Sequence, residues 1–174
     1  MGRLDFKELE LCDALDLAIL IEEEARERYV EFTKTVGGRY AGDASEVFRR
    51  MAINEQKHGA QLSELRAALY KDRPRRVDAD MIDNVEAPMR VVGRYSMSAH
   101  RALEIAIDNE QRAWDYFDGA SREAANPRVQ RLFLELRDEE REHRAMLERL
   151  LPDFPEEASL FEEDPTEEVG SDPG

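Results

Sequence analysis

The segment VFRRMAINEQKHGAQL at residues 47–62 recurs 85 residues later as LFLELRDEEREHRAML at residues 132–147. Both copies keep a Glu three residues before a His, as Glu55 with His58 and Glu140 with His143. On a helix, residues at this spacing lie on one face, so the carboxylate and the imidazole can bind the same metal ion. Each copy therefore predicts half of a metal site.

The composition indicates a helical protein of one domain. The 174 residues are 41% apolar, 37% charged and only 7% aromatic, which is typical of long amphipathic helices. A chain of this length can bury a sizeable core. We expect an all-α fold.

The net charge of −15 disfavours nucleic-acid and anionic-membrane partners, which would be repelled, and favours cations. The single cysteine, Cys12, cannot form an internal disulfide, and the N-terminal residues lack the apolar core of a signal peptide. No apolar run is long enough to span a bilayer. We expect a cytoplasmic protein with no membrane partner.

Two further predicted helices each carry one Glu on an otherwise apolar face. Glu22 lies in a helix predicted over residues 9–34, and Glu110 lies in a helix predicted to begin after Ser98. A buried carboxylate is costly unless a partner compensates it. Both glutamates are therefore candidate ligands.

The two Glu-x-x-His helices have predicted starts of different kinds. Asp43 with Glu46 forms a possible capping box for the second helix, and Asn126 with Pro127 is a favourable start for the fourth. Residues 75–95 lack a sustained period and are predicted to form a long crossover connection. The sequence thus predicts two repeated helical hairpins joined by that connection.

The bundle is predicted to occupy residues 1–151 and to be followed by an acidic tail at residues 152–174. The tail holds nine acidic residues, no basic ones and four of the seven prolines. Such a composition cannot bury enough surface to become ordered, so we expect a disordered tail.

Together the helices offer four carboxylates and two imidazoles to one core. Charge balance favours two divalent cations, because four unpaired buried carboxylates would be prohibitively costly. This ligand set is the known pattern of ferritin-like di-metal bundles. The predicted ligands are Glu22, Glu55 and His58 for one metal and Glu110, Glu140 and His143 for the other, with Glu55 and Glu140 bridging.

Four segments resemble the rubrerythrin-like branch of the ferritin-like superfamily. They are EEEARERY at 22–29, NEQKH at 54–58, NEQRAWDYF at 109–117 and EEREH at 139–143. The resemblance covers residues 10–150 and looks closest to the erythrin-type domain of membrane-bound iron proteins, without their membrane half. It implies a ferritin-like four-helix bundle with two iron ions that react with O2 or H2O2, usually in an intracellular homodimer.

Two departures from that pattern bear on the reaction. The chain has no Cys-x-x-Cys pair, so peroxidase activity would need an external electron donor, and Ala113 stands where rubrerythrins place an extra Glu. Both departures favour a ferroxidase. Tyr29, two turns after Glu22, could hydrogen-bond a ligand or quench an oxidant, or could simply belong to the core.

Three alternatives remain at this point. A rubrerythrin-type peroxidase and a dimanganese catalase would use the same ligands, because carboxylate and imidazole do not select iron over manganese. A metal-free helical interaction module would explain the two Glu-His pairs as hydrogen-bonded pairs, but not the buried Glu22 and Glu110.

Overall fold

The computed structural model describes residues 4–71, 73–78, 81 and 97–156. Four long helices dominate this part of the chain: α1 (Leu11–Thr35), α2 (Ala41–Tyr70), α3 (Ala99–Glu123) and α4 (Pro127–Leu150). Helix α1 packs mainly on α2, and α3 mainly on α4, so the bundle consists of two helical hairpins. The predicted four-helix bundle is confirmed. None of the described helices combines the length and the apolar character needed to cross a bilayer.

The starts of α3 and α4 follow the local sequence. The Ser98 hydroxyl accepts a hydrogen bond of 3.2 Å from the backbone N–H of Arg101. The Asn126 side chain accepts one of 3.0 Å from the N–H of Arg128, and Pro127 follows it at the first helical position. Both side chains satisfy backbone donors that a helix start leaves without intrahelical partners.

The predicted capping box of α2 is wrong. This helix already begins at Ala41 after Tyr40, and Asp43 lies inside its first turn. There the carboxylate favours the helix through the macrodipole and not through a cap. The turn before it contains Gly38, whose φ of 85° is easily adopted only by glycine.

A short parallel ladder links the two hairpins. Strand β1 (Val36–Gly37) follows α1 and pairs with strand β2 (Met97–Ser98), which leads directly into α3. The ladder fixes where the second hairpin begins relative to the first. Most of the predicted crossover at residues 75–95 lies outside the described residues.

The core consists of two apolar clusters at opposite ends of the bundle. The lower cluster includes Leu15, Ile19, Phe117 and Phe133, and the upper cluster includes Tyr29, Phe32, Phe48, Leu103 and Leu147. On each helix the predicted ligands fall between the residues that contribute to the two clusters. The fold therefore places a polar layer at mid-height, enclosed by apolar side chains above and below.

An ion-pair network holds the end of α2 against α1. Arg66 donates to the fully buried carboxylate of Asp16 at 2.8 and 3.1 Å. The same guanidinium donates to the carbonyl oxygens of Lys71 at 3.1 Å and Arg73 at 2.6 Å. One side chain thus joins both helices and the start of the connection to α3.

The ordered structure continues beyond α4. A 3₁₀ helix at Leu151–Asp153 leads to Phe154, which is 5% exposed and packs its ring 6.1 Å from that of Tyr40. The Phe154 carbonyl oxygen accepts a hydrogen bond of 2.7 Å from Nδ1 of His100. Residues 157–174 lie outside the described residues, so the disorder of the tail stays a prediction.

Candidate metal centre

The six predicted ligands meet in the polar layer between the two apolar clusters. Their exposed fractions are 3% for Glu22, 2% for Glu55, 2% for Glu110, 5% for Glu140 and 8% for His143. The His58 side chain is 23% exposed and lies at the edge of the group. The repeat therefore brings its carboxylates and imidazoles to one buried place.

His143 lies among three buried carboxylates. Its Nδ1 is 3.3 Å from Oε1 of Glu55, 3.6 Å from Oε2 of Glu110 and 3.7 Å from Oε2 of Glu140. Ligand atoms of Glu110, Glu140 and His143 all lie within 4.8 Å of one another. This is the arrangement expected of one half of a dinuclear centre.

His58 is surrounded in a similar way, with one unexpected member. Its Nδ1 is 3.8 Å from an oxygen of Glu22, 3.8 Å from Oε2 of Glu55 and 3.7 Å from Oε2 of Glu139. Sequence reasoning missed Glu139, because adjacent helical residues point about 100° apart and Glu140 already filled the motif. The doubled Glu in EEREH at 139–143 was the available signal.

Glu55 connects the two halves. Its Oε2 faces His58 and its Oε1 faces His143, and the two imidazole rings stack with their centroids 5.4 Å apart and their planes at 8°. This position suits a bridging carboxylate. Glu140 groups only with Glu110 and His143 among the described residues, so its bridging role stays a prediction.

Burial raises the pKa of two of the carboxylates, those of Glu55 and Glu140. It raises the pKa of Glu55, against the opposing influence of His143 and of a hydrogen bond with Glu22. It also raises the pKa of Glu140 well above the usual range, and the charge of Glu110 adds to this effect. Without cations, the layer would therefore hold protons.

The pKa values of the two histidines shift in opposite directions. Burial opposes the charge on His143, but Glu110, Glu55 and Glu139 outweigh it and raise the pKa of His143 to about 9. Burial, followed by the charge of His143, lowers the pKa of His58. A divalent cation would take the place of the protons that this layer otherwise binds.

Buried polar atoms without hydrogen-bond partners indicate whether these residues are suited to bind a metal ion. In the described part of the chain, no hydrogen-bond partner reaches Oε1 of Glu55, Oε2 of Glu110 or Nδ1 of either His58 or His143. Buried atoms of this kind are rare, and each calls for an explanation such as an ion. Carboxylate oxygens facing imidazole nitrogens form a donor set that suits iron, manganese or zinc.

Tyr29 contacts the centre directly. Its hydroxyl donates a hydrogen bond to Oε1 of Glu110, and its ring is 3% exposed and stacks 6.1 Å from Phe48. The residue thus belongs to the upper cluster and also orients a candidate ligand. Partners of this kind tune ligands in metalloproteins.

Two cavities lead from the surface to the layer. One, of about 270 Å³, opens between α1 and α2 and is lined by Glu22, Glu27 and Glu55. The other, of about 160 Å³, opens between α2 and α4 and is lined by His58, Glu135 and Glu139. Small molecules and ions can therefore approach Glu22 and Glu55 through the first cavity, and His58 and Glu139 through the second.

Comparison with known proteins agrees with this geometry. The rubrerythrin family model matches residues 13–151 and, in a second match, residues 101–171. The chain belongs to the rubrerythrin family. The search of curated proteins found no match to the chain.

Three solved structures share the fold of this chain. An uncharacterized conserved protein from Magnetospirillum magnetotacticum MS-1 is 29% identical, with a TM-score of 0.72 over 86% of this chain and 99% of that one. A ferritin-like, diiron-carboxylate protein from Bacillus anthracis str. Ames is 25% identical, with a TM-score of 0.55 over 81% and 94% of the two chains. A hypothetical protein from Pyrococcus furiosus, 20% identical, shares the fold with a TM-score of 0.60 over 90% and 100%.

Family and geometry together identify the class of protein. The chain is a ferritin-like protein of the rubrerythrin family, and candidate metal-binding groups lie in the core of its bundle. Iron is accordingly the metal that the family suggests.

Proposed function

We propose that this protein binds two iron ions in the polar layer and oxidises Fe(II) with O2 or H2O2. The observation that carries the proposal is the pair of imidazoles, His58 and His143, each facing buried carboxylates and sharing Glu55. The proposed ligands are Glu22, Glu55, His58, Glu110, Glu140 and His143, with Glu55 and Glu140 as bridges.

The protein's own residues would serve this chemistry in three ways. Four carboxylates balance the charge of two divalent ions and retain affinity as that charge rises. The apolar clusters above and below the layer exclude bulk water. Tyr29 holds Glu110 in one orientation through its hydroxyl. Two bound Fe(II) ions would supply the two electrons that reduce peroxide to water.

Two features favour ferroxidase over peroxidase activity. Ala113, which is fully buried one turn after Glu110, supplies no additional carboxylate at the position where rubrerythrins carry one. Cys12 is the single cysteine of the 174 residues, so they contain no cysteine pair for a second iron centre that could donate electrons. Peroxidase turnover would therefore need an electron donor other than these residues.

The test follows Fe(II) oxidation by stopped-flow absorbance after anaerobic loading, with O2 and H2O2 compared. We expect oxidation well above the rate in buffer, two Fe(II) consumed per H2O2, and at least a tenfold loss of rate in Glu110→Gln. Glu104→Gln, a half-buried residue of the same helix that pairs with the exposed Arg101, serves as the control. Oxidation at the buffer rate in the wild type would contradict the proposal.

Two further measurements, oxygen release from peroxide and bound metal, separate the alternatives. Oxygen released from peroxide by manganese-loaded protein without a reductant would indicate a dimanganese catalase. Absence of bound metal would favour the metal-free interaction module.

The proposal includes a cytoplasmic homodimer. The family resemblance supports the dimer, and the single Cys12 is compatible with a reducing compartment. Light scattering coupled to size-exclusion chromatography would show the oligomeric state, and a monomeric mass would contradict the dimer.

A further inference from the structure

The two halves of the candidate centre differ in their access to solvent. The side chain of His143 is 10% exposed and lies among carboxylates that are nearly fully buried. The side chain of His58 is 23% exposed, and its neighbour Glu139 is 41% exposed. The His58 half therefore opens towards the surface.

Glu139 breaks the symmetry of the repeat. At the equivalent position of the first copy, 85 residues earlier, the chain has Asn54. The repeat explains Glu55, Glu140 and the two histidines, but it does not account for this carboxylate. A role specific to the His58 half is therefore indicated.

Glu139 lies as near to His58 as the predicted ligands do. Its Oε2 is 3.7 Å from Nδ1 of His58, compared with 3.8 Å for Glu55, and ligand atoms of Glu22, His58 and Glu139 lie within 4.8 Å of one another. Beside them, the 2% exposed Glu55 turns its Oε2 towards His58, while its Oε1 faces His143 in the other half and has no hydrogen-bond partner among the described residues. A cation held by Glu139 would already be next to the buried ligands.

A row of carboxylates leads from the surface to this point. Glu135 precedes Glu139 by one helical turn on the same face of α4, and both line the cavity of about 160 Å³ that ends at His58. Glu135 is exposed, Glu139 is half-buried and Glu55 is buried. Exposure thus falls stepwise along the route.

We propose that Glu139 is a transfer ligand, which takes a divalent cation from the groove between α2 and α4 and passes it to Glu22, Glu55 and His58. The inference rests on the dinuclear centre proposed above. Exchanging water for protein oxygens one at a time avoids full dehydration of the ion before it reaches its final ligands. The His58 half is accordingly the half that fills and exchanges first.

Co(II) uptake by the metal-free protein tests this role, because its visible absorbance reports binding without turnover. Glu139→Gln keeps the shape of the side chain and removes its charge. We expect the variant still to bind two Co(II) at saturation, but with the faster uptake phase slowed about tenfold. Glu142→Gln, an exposed site on the same helix, controls for the change in net charge.

Glu27→Gln controls for the route, because Glu27 lines the cavity between α1 and α2 instead. Slower uptake in this variant and not in Glu139→Gln would overturn the proposal. An uptake rate in Glu139→Gln equal to that of Glu142→Gln would also overturn it. Loss of one bound Co(II) would show a resident ligand and not a transfer ligand.

The wild type distinguishes failure of this inference from failure of the proposed function. Two bound Co(II) with unchanged rates in every variant would remove the transfer role and leave the dinuclear centre standing. A wild type that binds no Co(II) would remove the centre and, with it, the transfer role.

Discussion

At the scale of a single residue, the protonation of His143 is expected to be coupled to metal binding. Its pKa of about 9 means that the folded, metal-free protein carries an imidazolium at pH 7. Because this pKa is raised, the stability that the charged ring contributes is complete below its unfolded value of about 6.5. That contribution is lost as the pH rises through about 9.

Metal affinity should therefore rise with pH between 7 and 9, since an imidazole must lose its proton to become a ligand. Titration calorimetry in buffers of different ionisation enthalpy measures the protons released on binding. We expect net proton release at pH 7 and much less at pH 9. A pH-independent affinity with no proton release would contradict the assignment of His143 as a ligand.

Tyr29 gives a second prediction at this scale. Tyr29→Phe removes the hydroxyl that donates to Glu110 and leaves the ring among its aromatic neighbours. We expect metal affinity to fall about tenfold with little change in fold. Competition with a chelator measures the affinity. Tyr116→Phe is the matched control, because that ring lies in the lower cluster near Phe117 and should leave the affinity unchanged.

At the level of elements, two of the three predicted helix starts are confirmed and the capping box of α2 is wrong. Ser98 and Asn126 cap their helices because the cap involves residues only two or three positions away. The start of α2 depends instead on the turn at Gly38, and the ladder pairs Val36 with Met97, 61 residues on. No local pattern predicts the pairing of the two strands, because they are far apart in the sequence.

In the candidate site, too, sequence patterns predicted the contacts within a helix but not those that depend on packing between helices. Repeat spacing predicted the six residues that the structure brings together, because helical periodicity fixes which side chains share a face. Glu139 was missed because its relation to His58 depends on how α2 packs beside α4. The direction of Tyr29 towards Glu110, on another hairpin, depends on packing in the same way.

The ion pair between α1 and α2 provides a stability prediction. Asp16→Asn leaves the Arg66 guanidinium beside an uncharged amide in a buried setting, and such losses cost about 3–5 kcal/mol. Urea denaturation of the metal-free protein measures the change. In contrast, Arg101→Gln breaks a surface pair with Glu104 and should cost less than about 1 kcal/mol. Equal effects of the two substitutions would show that the buried network contributes little.

At the scale of the whole molecule, the positions of the buried residues predict where the chain can be shortened. Deleting residues 157–174 should change neither metal content nor the free energy of unfolding, because every described core residue lies before this segment. Deleting residues 152–174 also removes buried Phe154 and should cost about 3 kcal/mol. Phe154→Ala in the full chain should reproduce most of that loss. Metal loss in the shorter deletion would mean that the acidic tail takes part in binding.

At the scale of the whole molecule, we infer that the polar layer between the two apolar clusters is a dinuclear metal centre. Metal content per chain, measured after anaerobic loading with Fe(II) and desalting, tests it most directly. We expect two iron ions in the wild type, a sharp loss in Glu55→Ala, which removes the shared carboxylate, and no change in the control Glu104→Gln, which pairs with Arg101 away from the centre. A wild type that retains no iron, or a Glu55→Ala variant that still retains two, would contradict it.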